Sequence, residues 1–311
     1  MSIPIETVKT DNLTMRFFRF GHGPKTCVIL PGLSVKSVMD SADTVAKQYA
    51  VFDDDFTTYL FDRRLDLPTT SGADDVHPAC DDSSSGASAP RYTIADMARD
   101  TAEAILSLGL SDLHLFGASQ GGMIALALTI ENPGLVSKLA LGSTTARVPS
   151  EDSVSSDASL SDSSADAADL SADSARDSIT GWIDLAKAGD AVTLYREFGR
   201  KLYPAALFEQ YKSVLEGLGN FVTADDLRRF VTIAEGTAGF DVTPSLSSIT
   251  CPVLVLGSED DQVIAPDCSR EIAAGLTGAA SCELHMYDGY GHAAFDTAPD
   301  YQQRLLEFFR R

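Results

Sequence analysis

Short unbroken apolar runs punctuate this chain, and longer stretches whose apolar positions recur every three or four residues separate them. Residues 26–30 (TCVIL), 139–142 (LALG) and 252–257 (PVLVLG) have the first pattern, which predicts strands buried on both faces, and residues 57–61 (TTYLF), 113–116 (LHLF) and 282–287 (CELHMY), each with polar positions, read as further strands. Residues 36–50, 93–108, 268–276, the segment after Ser119 and the segment from Asp300 onward have the second, which predicts helices. Residues 13–20 (LTMRFFRF) alternate enough to add an early strand. The turn Gly21-His22-Gly23-Pro24 ends it, a hairpin start. Strands separated by helices predict an α/β class with a mostly parallel sheet, whose ligand sites lie at the carboxyl ends of the strands.

Between residues 145 and 245 the alternation stops. Residues 179–187, 191–202, 205–218 and 223–234 read as successive helices carrying Trp182, Tyr195, Phe198, Tyr203, Phe208 and Tyr211, with Phe221 in the turn before the last. This segment has the pattern of a helical lid inserted into a core formed by residues 1–144 and 246–311. Aromatic residues at helical spacing more often pack a core than line a pocket.

Charge changes the picture in two places. Residues 71–90 hold four Asp and no Lys or Arg, and residues 150–178 hold eight acidic residues against Arg176 alone, so −11 of the net −21 sits there. Both are rich in Ser, Ala, Asp and Gly and lack the apolar surface that offsets ordering entropy, so both read as disordered insertions. A chain this acidic, without clustered Lys and Arg, argues against nucleic acid as a partner. No apolar run reaches the length of a membrane span, and no basic, apolar leader opens the chain. The five cysteines (27, 80, 251, 268, 282) are odd in number and contain no C-x-x-C pair. That pattern predicts free thiols in a reducing, cytoplasmic setting, no structural metal, and buried packing roles for Cys27 and Cys251.

The chemistry gathers at three strand ends. Gly117-Ala118-Ser119-Gln120-Gly121 stands between a strand and a helix, the setting of a tight turn that lifts a serine hydroxyl above the sheet. Ser119 is therefore the candidate nucleophile. The helix after it turns the backbone N–H of Gln120 and its dipole toward any negative charge developing there. The strand at 252–257 leads into Glu259-Asp260-Asp261, and the strand at 282–287 leads into Asp288-Gly289-Tyr290-Gly291-His292. A serine needs a base to take its proton, and that base needs a carboxylate to hold its tautomer. His114 and His285 lie inside strands and read as core or sheet-face residues, while His22 and His77 lie in loops. None has Cys or Glu companions at ligand spacing, so no metal site is expected.

On these residues the chain resembles the α/β-hydrolase superfamily, over nearly all its length outside the two acidic insertions. The order Ser119, Asp261, His292 matches the family's nucleophile, acid and base. The resemblance favours Asp261, because Asp261-Gln-Val-Ile-Ala-Pro has the family's downstream spacing; Asp260 is the fallback acid. Some members carry the acid after the strand that follows the elbow helix, but Gly142-Ser143-Thr144-Thr145 offers no carboxylate there. The resemblance also implies an oxyanion hole from the backbone N–H groups of Gln120 and Leu33. Pro31-Gly32 stands where many members have His-Gly, which removes a side chain and keeps the backbone donor. A serine in the elbow disfavours the dehalogenase and epoxide-hydrolase branches, which use aspartate.

The resemblance thus implies a cofactor-free serine hydrolase that passes a small or medium hydrophobic acyl group from an ester-like small molecule through an acyl-enzyme to water. Acyl transfer, carbon–carbon bond hydrolysis, aminopeptidase activity and a non-catalytic binding role remain as alternatives, and the oligomeric state stays open.

Overall fold

The computed structural model describes residues 2–67, 91–150 and 167–311, with side chains in the last segment from 173 onward. The 71–90 insertion, His77, Cys80 and residues 151–166 lie outside the described residues. Eight strands form one sheet: β1 (Glu6–Lys9), β2 (Thr14–Phe20), β3 (Lys25–Leu30), β4 (Phe56–Arg64), β5 (Leu113–Ala118), β6 (Val136–Gly142), β7 (Val253–Ser258) and β8 (Cys282–Tyr287). Their spatial order is β1-β2-β4-β3-β5-β6-β7-β8, antiparallel at β1/β2 and β2/β4 and parallel from there to β8.

The continuous apolar runs sit at the middle of this sheet because both of its faces are covered. Successive side chains of a strand point to opposite faces. Val28, Leu30, Leu113, Leu115, Leu139, Leu141, Val253 and Val255 accordingly enter one core. Their alternates Cys27, Ile29, Phe116, Ala140, Leu254 and Leu256 enter the other. The first core is closed by α2 (Ile94–Ser107) and α3 (Gln120–Glu131), the second by α1 (Ala42–Gln48) and, at the chain's end, α10 (Tyr301–Arg310). From Gln120 through Thr129 every residue of α3 is buried, so this helix has no polar face and runs through the interior.

Two early elements differ from expectation. The hairpin is made upstream, by β1 with β2, and β2 does not pair with β3, because β4 lies between them. Only four residues long and mostly polar, β1 carries little hydrophobic pattern to read. The helix expected at 36–50 is broken into a 3₁₀ turn at Val38–Ser41, then α1, then a second 3₁₀ turn at Ala50–Phe52.

Between β6 and β7 stand α4 (Ala167–Lys187), α5 (Ala191–Leu202), α6 (Ala205–Gly219) and α7 (Ala224–Glu235). Thr223 opens α7 with a reciprocal capping box to Asp226, as Thr93 opens α2 with Asp96. The reading of 150–178 as wholly unstructured fails from residue 167 onward. Ala175, Ile179, Trp182 and Ala186 form a buried stripe at helical spacing, and the acidic, serine-rich composition around Ala175 masks its start. Trp182 packs on Phe198 with ring centroids 4.4 Å apart, so these aromatics act as core of the helical layer. The segment returns to the sheet at β7, followed by α8 (Pro266–Gly275), β8 and the short α9 (Ala294–Thr297). Among the described residues, no helix is long and apolar enough to cross a membrane.

Candidate active site

The turn from β5 into α3 places Ser119 at φ 54°, ψ −123°, a conformation that L-residues avoid and that costs on the order of 1–3 kcal/mol unless the surroundings enforce it. Here they do. The Ser119 N–H donates to the Gly142 carbonyl at 2.8 Å, and the Ser119 carbonyl accepts from Gly122 N–H and the Thr144 hydroxyl. The flanking glycines are required by close approach. A Cβ on Gly117 would lie 2.4 Å from the Gly121 carbonyl oxygen, and one on Gly121 would lie 2.0 Å from that of Leu30. The small-residue spacing read from the sequence thus has a direct steric cause.

From β7 and β8 come the partners. His292 Nε2 lies 3.0 Å from Ser119 Oγ, and His292 Nδ1 lies 2.8 Å from Asp261 Oδ2. The side chains of His292 and Asp261 are 3% and 2% exposed, so this relay is shielded from water. The second oxygen of Asp261, Oδ1, accepts the backbone N–H groups of Val263 and Ile264 at 2.8 and 2.9 Å, an Asx turn that fixes the carboxylate plane.

Adjacent Asp260 points elsewhere. Its carboxylate accepts the Gly289 N–H at 3.2 Å, the Gly291 N–H at 3.0 Å and the Ser258 hydroxyl at 2.9 Å. The two aspartates divide the work: Asp261 meets the imidazole and Asp260 braces the loop that carries it. The loop after β3 comes to the other side of Ser119, since a Cβ on Gly32 would lie 3.2 Å from Ser119 Cβ and 3.7 Å from its Oγ. Leu33, next in that loop, packs on the first core. Gln120 is the first residue of α3, so its backbone N–H lies in the turn where a helix has no internal acceptor to offer.

The family model for the alpha/beta hydrolase fold matches residues 75–299. The chain belongs to the α/β-hydrolase fold family. Among curated relatives it is 27% identical over 211 residues to "Putative carbamate hydrolase RutD" of Serratia proteamaculans (strain 568), covering 66% of this chain and 69% of that protein. Two solved structures share its fold. One is MGS-M2, an alpha/beta hydrolase enzyme from a Medee basin deep-sea metagenome library (TM-score 0.72, 18% identity, 98% of both chains). The other is the enol-lactonase from Burkholderia xenovorans LB400 (TM-score 0.70, 17% identity, 98% of this chain and all of that one).

Three structural features around the candidate site escaped sequence reasoning. Asp62 and Arg63, at the end of β4, are buried beside the elbow, and Arg229 of α7 forms an ion pair with Asp62. Burial lowers Arg63 to about 10, with the neighbouring Asp62 carboxylate opposing that shift. Their signal was an Asp-Arg pair at the carboxyl end of an apolar strand, where α/β folds place ligands. The third is Ser174 of α4, whose hydroxyl donates to the Val263 carbonyl and accepts the Ala265 N–H, clasping the loop of the acid.

The remaining candidates are structural. His114 is buried edge-on to Phe56 and Phe309, and burial lowers its pKa. His285 stacks edge-on to Tyr287 on the outer strand, and exposed His22 pairs with Asp54. Cys27 is buried as expected, while Cys251 is only half-buried. Among the described residues, no group of three His, Cys, Asp or Glu side chains is placed to hold a metal ion.

Proposed function

We propose that this hydrolase cleaves small or medium hydrophobic carboxylic esters, or closely related acyl compounds, through an acyl-enzyme on Ser119. The observation that carries the reading is the shielded relay from Ser119 Oγ through His292 to Asp261, at 3.0 and 2.8 Å. Ser119 Oγ bonds to the substrate carbonyl carbon as His292 Nε2 takes its proton, and Asp261 stabilises the imidazolium. The backbone N–H groups of Leu33 and Gln120 receive the oxyanion. His292 then gives its proton to the leaving oxygen as the carbon–oxygen bond breaks. Water repeats the sequence and releases the acid, so no cofactor is consumed.

The helices between β6 and β7 serve as the lid over this site, within the inserted segment 145–245. Their bracing of the catalytic loops supports that role: the Leu202 carbonyl, at the end of α5, accepts the N–H of Ala293, next to His292. The names of the relatives widen the substrate class. A carbamate and an enol lactone each present a carbonyl carbon bearing a heteroatom leaving group, which the same relay would attack.

The test is hydrolysis of a chain-length series of p-nitrophenyl esters, with carbamate and enol-lactone substrates in the same panel and Ser119→Ala beside the native enzyme. Turnover that disappears in the variant is the expected result, and the preferred chain length sizes the acyl pocket. Turnover that survives the substitution overturns the mechanism.

A further inference from the structure

Arg63 is an unusual residue to bury, only 4% exposed, and its bonds are directed. A single nitrogen, Nη2, lies 3.0 Å from the Pro31 carbonyl and 3.1 Å from Gln120 Oε1, and donates to both. Pro31 opens the loop that carries Leu33, and Gln120 begins the elbow helix. One guanidinium nitrogen therefore ties together the loop after β3 and the start of α3, the two segments that flank Ser119.

The other end of Gln120 is fixed as well. Its Nε2 donates to the Ile233 carbonyl at 3.0 Å. Ile233 lies within the last turn of α7, where carbonyls have no helical partner left, so Gln120 satisfies a helix end while standing at the elbow. Asp62 holds Arg63 from behind: Asp62 Oδ1 accepts the Arg63 backbone N–H at 2.8 Å and also pairs with Arg229 of α7. Arg63 and Gln120 are both buried, where an unmade bond costs more than it does in water.

We propose that Arg63 is a positioning residue for the oxyanion hole, locking the Pro31–Leu33 loop and the Gln120 end of α3 at a fixed separation. The proposal rests on the oxyanion-hole reading of Leu33 and Gln120. It predicts that losing Arg63 damages stabilisation of negative charge on the carbonyl oxygen rather than substrate binding or the proton relay. Because both donors are shifted and neither is deleted, the loss should fall at or below the about 10²–10³-fold of a removed oxyanion donor, on the order of 10–100-fold in kcat.

The experiment compares Arg63→Met, Arg63→Lys and the neighbouring control Arg64→Met on p-nitrophenyl acetate and on its thiono analogue. The larger, weakly accepting sulfur of the thiono ester gains little from the hole. Arg63→Met is expected to lose kcat on the oxo ester with KM within about threefold, to lose much less on the thiono ester, and to speed amide exchange at Leu33. Arg63→Lys, which keeps the charge and a donor, should fall between it and the native enzyme in both readouts, and carries the test if the Met variant does not fold. Arg64, bonded to Asp100 and the Asn12 carbonyl, should leave both at native values when replaced. Equal losses on the two esters, or Leu33 exchange unchanged from native, overturn the proposal. Should the native enzyme hydrolyse no ester at all, the failure belongs to the functional reading, and exchange at Leu33 and Gln120 decides the positioning claim alone.

Discussion

Replacing Asp261 by asparagine tests the relay because the structure dictates how the new amide must sit. Oδ1 accepts two backbone N–H groups, from Val263 and Ile264, and only an oxygen can satisfy them. The carbonyl of the introduced amide therefore takes the Oδ1 place, and its NH₂ faces His292 Nδ1 at the 2.8 Å now spanned by Oδ2. A donor facing Nδ1 forces that nitrogen to be the acceptor and puts the ring proton on Nε2, which points at Ser119 Oγ. The imidazole then has no lone pair for the serine proton. The same inversion in serine–histidine–aspartate centres lowers kcat by about 10⁴, or about 5.4 kcal/mol at 1.36 kcal/mol per decade. Stability should hardly change, since all three hydrogen bonds of the side chain are still made. The assay is kcat on the best p-nitrophenyl ester with a calorimetric melting curve for each variant. Loss of about three to four decades, with the melting temperature within about 2 °C of native, is the expected outcome. An Asp261→Asn enzyme that keeps a tenth or more of native kcat refutes the reasoning.

Asp260→Asn should cost less than about tenfold in kcat, because its bonds brace the His292 loop without meeting the ring; a loss matching that of Asp261→Asn would transfer the acid role to it. Arg229→Met should lower stability by about 1–3 kcal/mol, read as a shift in urea midpoint, since buried Asp62 is left short of a partner. Trp182→Ala should cost about 3–5 kcal/mol by the same measure, because Trp182 lies in the buried stripe of α4; a smaller cost with altered substrate preference would make it pocket lining. For pH, burial holds the folded pKa of His114 below 6.5, so the unfolded chain binds its proton more readily. This contribution to stability is full above 6.5 and is lost as pH falls from there toward the folded value. His114→Gln should flatten the fall of the urea midpoint as pH drops below 6.5, and an unchanged slope would show that other groups carry the acid sensitivity.

What could be read from the chain in advance was what local sequence determines. The elbow needs a strand, two glycines and a helix within a few residues, and the steric reason for both glycines lies within that turn and the adjoining end of β3. Asp261 and His292 stood out as candidates because each follows a segment that reads as a strand, and parallel sheets bring the carboxyl ends of their strands to one edge. The preference for Asp261 over Asp260 came from the family resemblance, through the spacing to Pro266, which opens α8. The start of α4 was hidden for the opposite reason. Among its described side chains the first buried one is Ala175, too small to stand out among aspartates and serines, and the ordering entropy is offset by packing on α7 and α8, far along the chain. The Arg63 bridge was hidden by distance too: it joins residues 32 and 57 positions away, and its link to α7 through Asp62 spans 167. A buried charge is costly unless every partner is in place, so the Asp62-Arg63 pair at a strand end signals that partners exist without saying where they lie. Once the fold supplies them, the contacts run from α7 to the elbow by two routes: Gln120 Nε2 donates to the Ile233 carbonyl, and Arg229 pairs with Asp62, whose neighbour Arg63 donates to Gln120 Oε1.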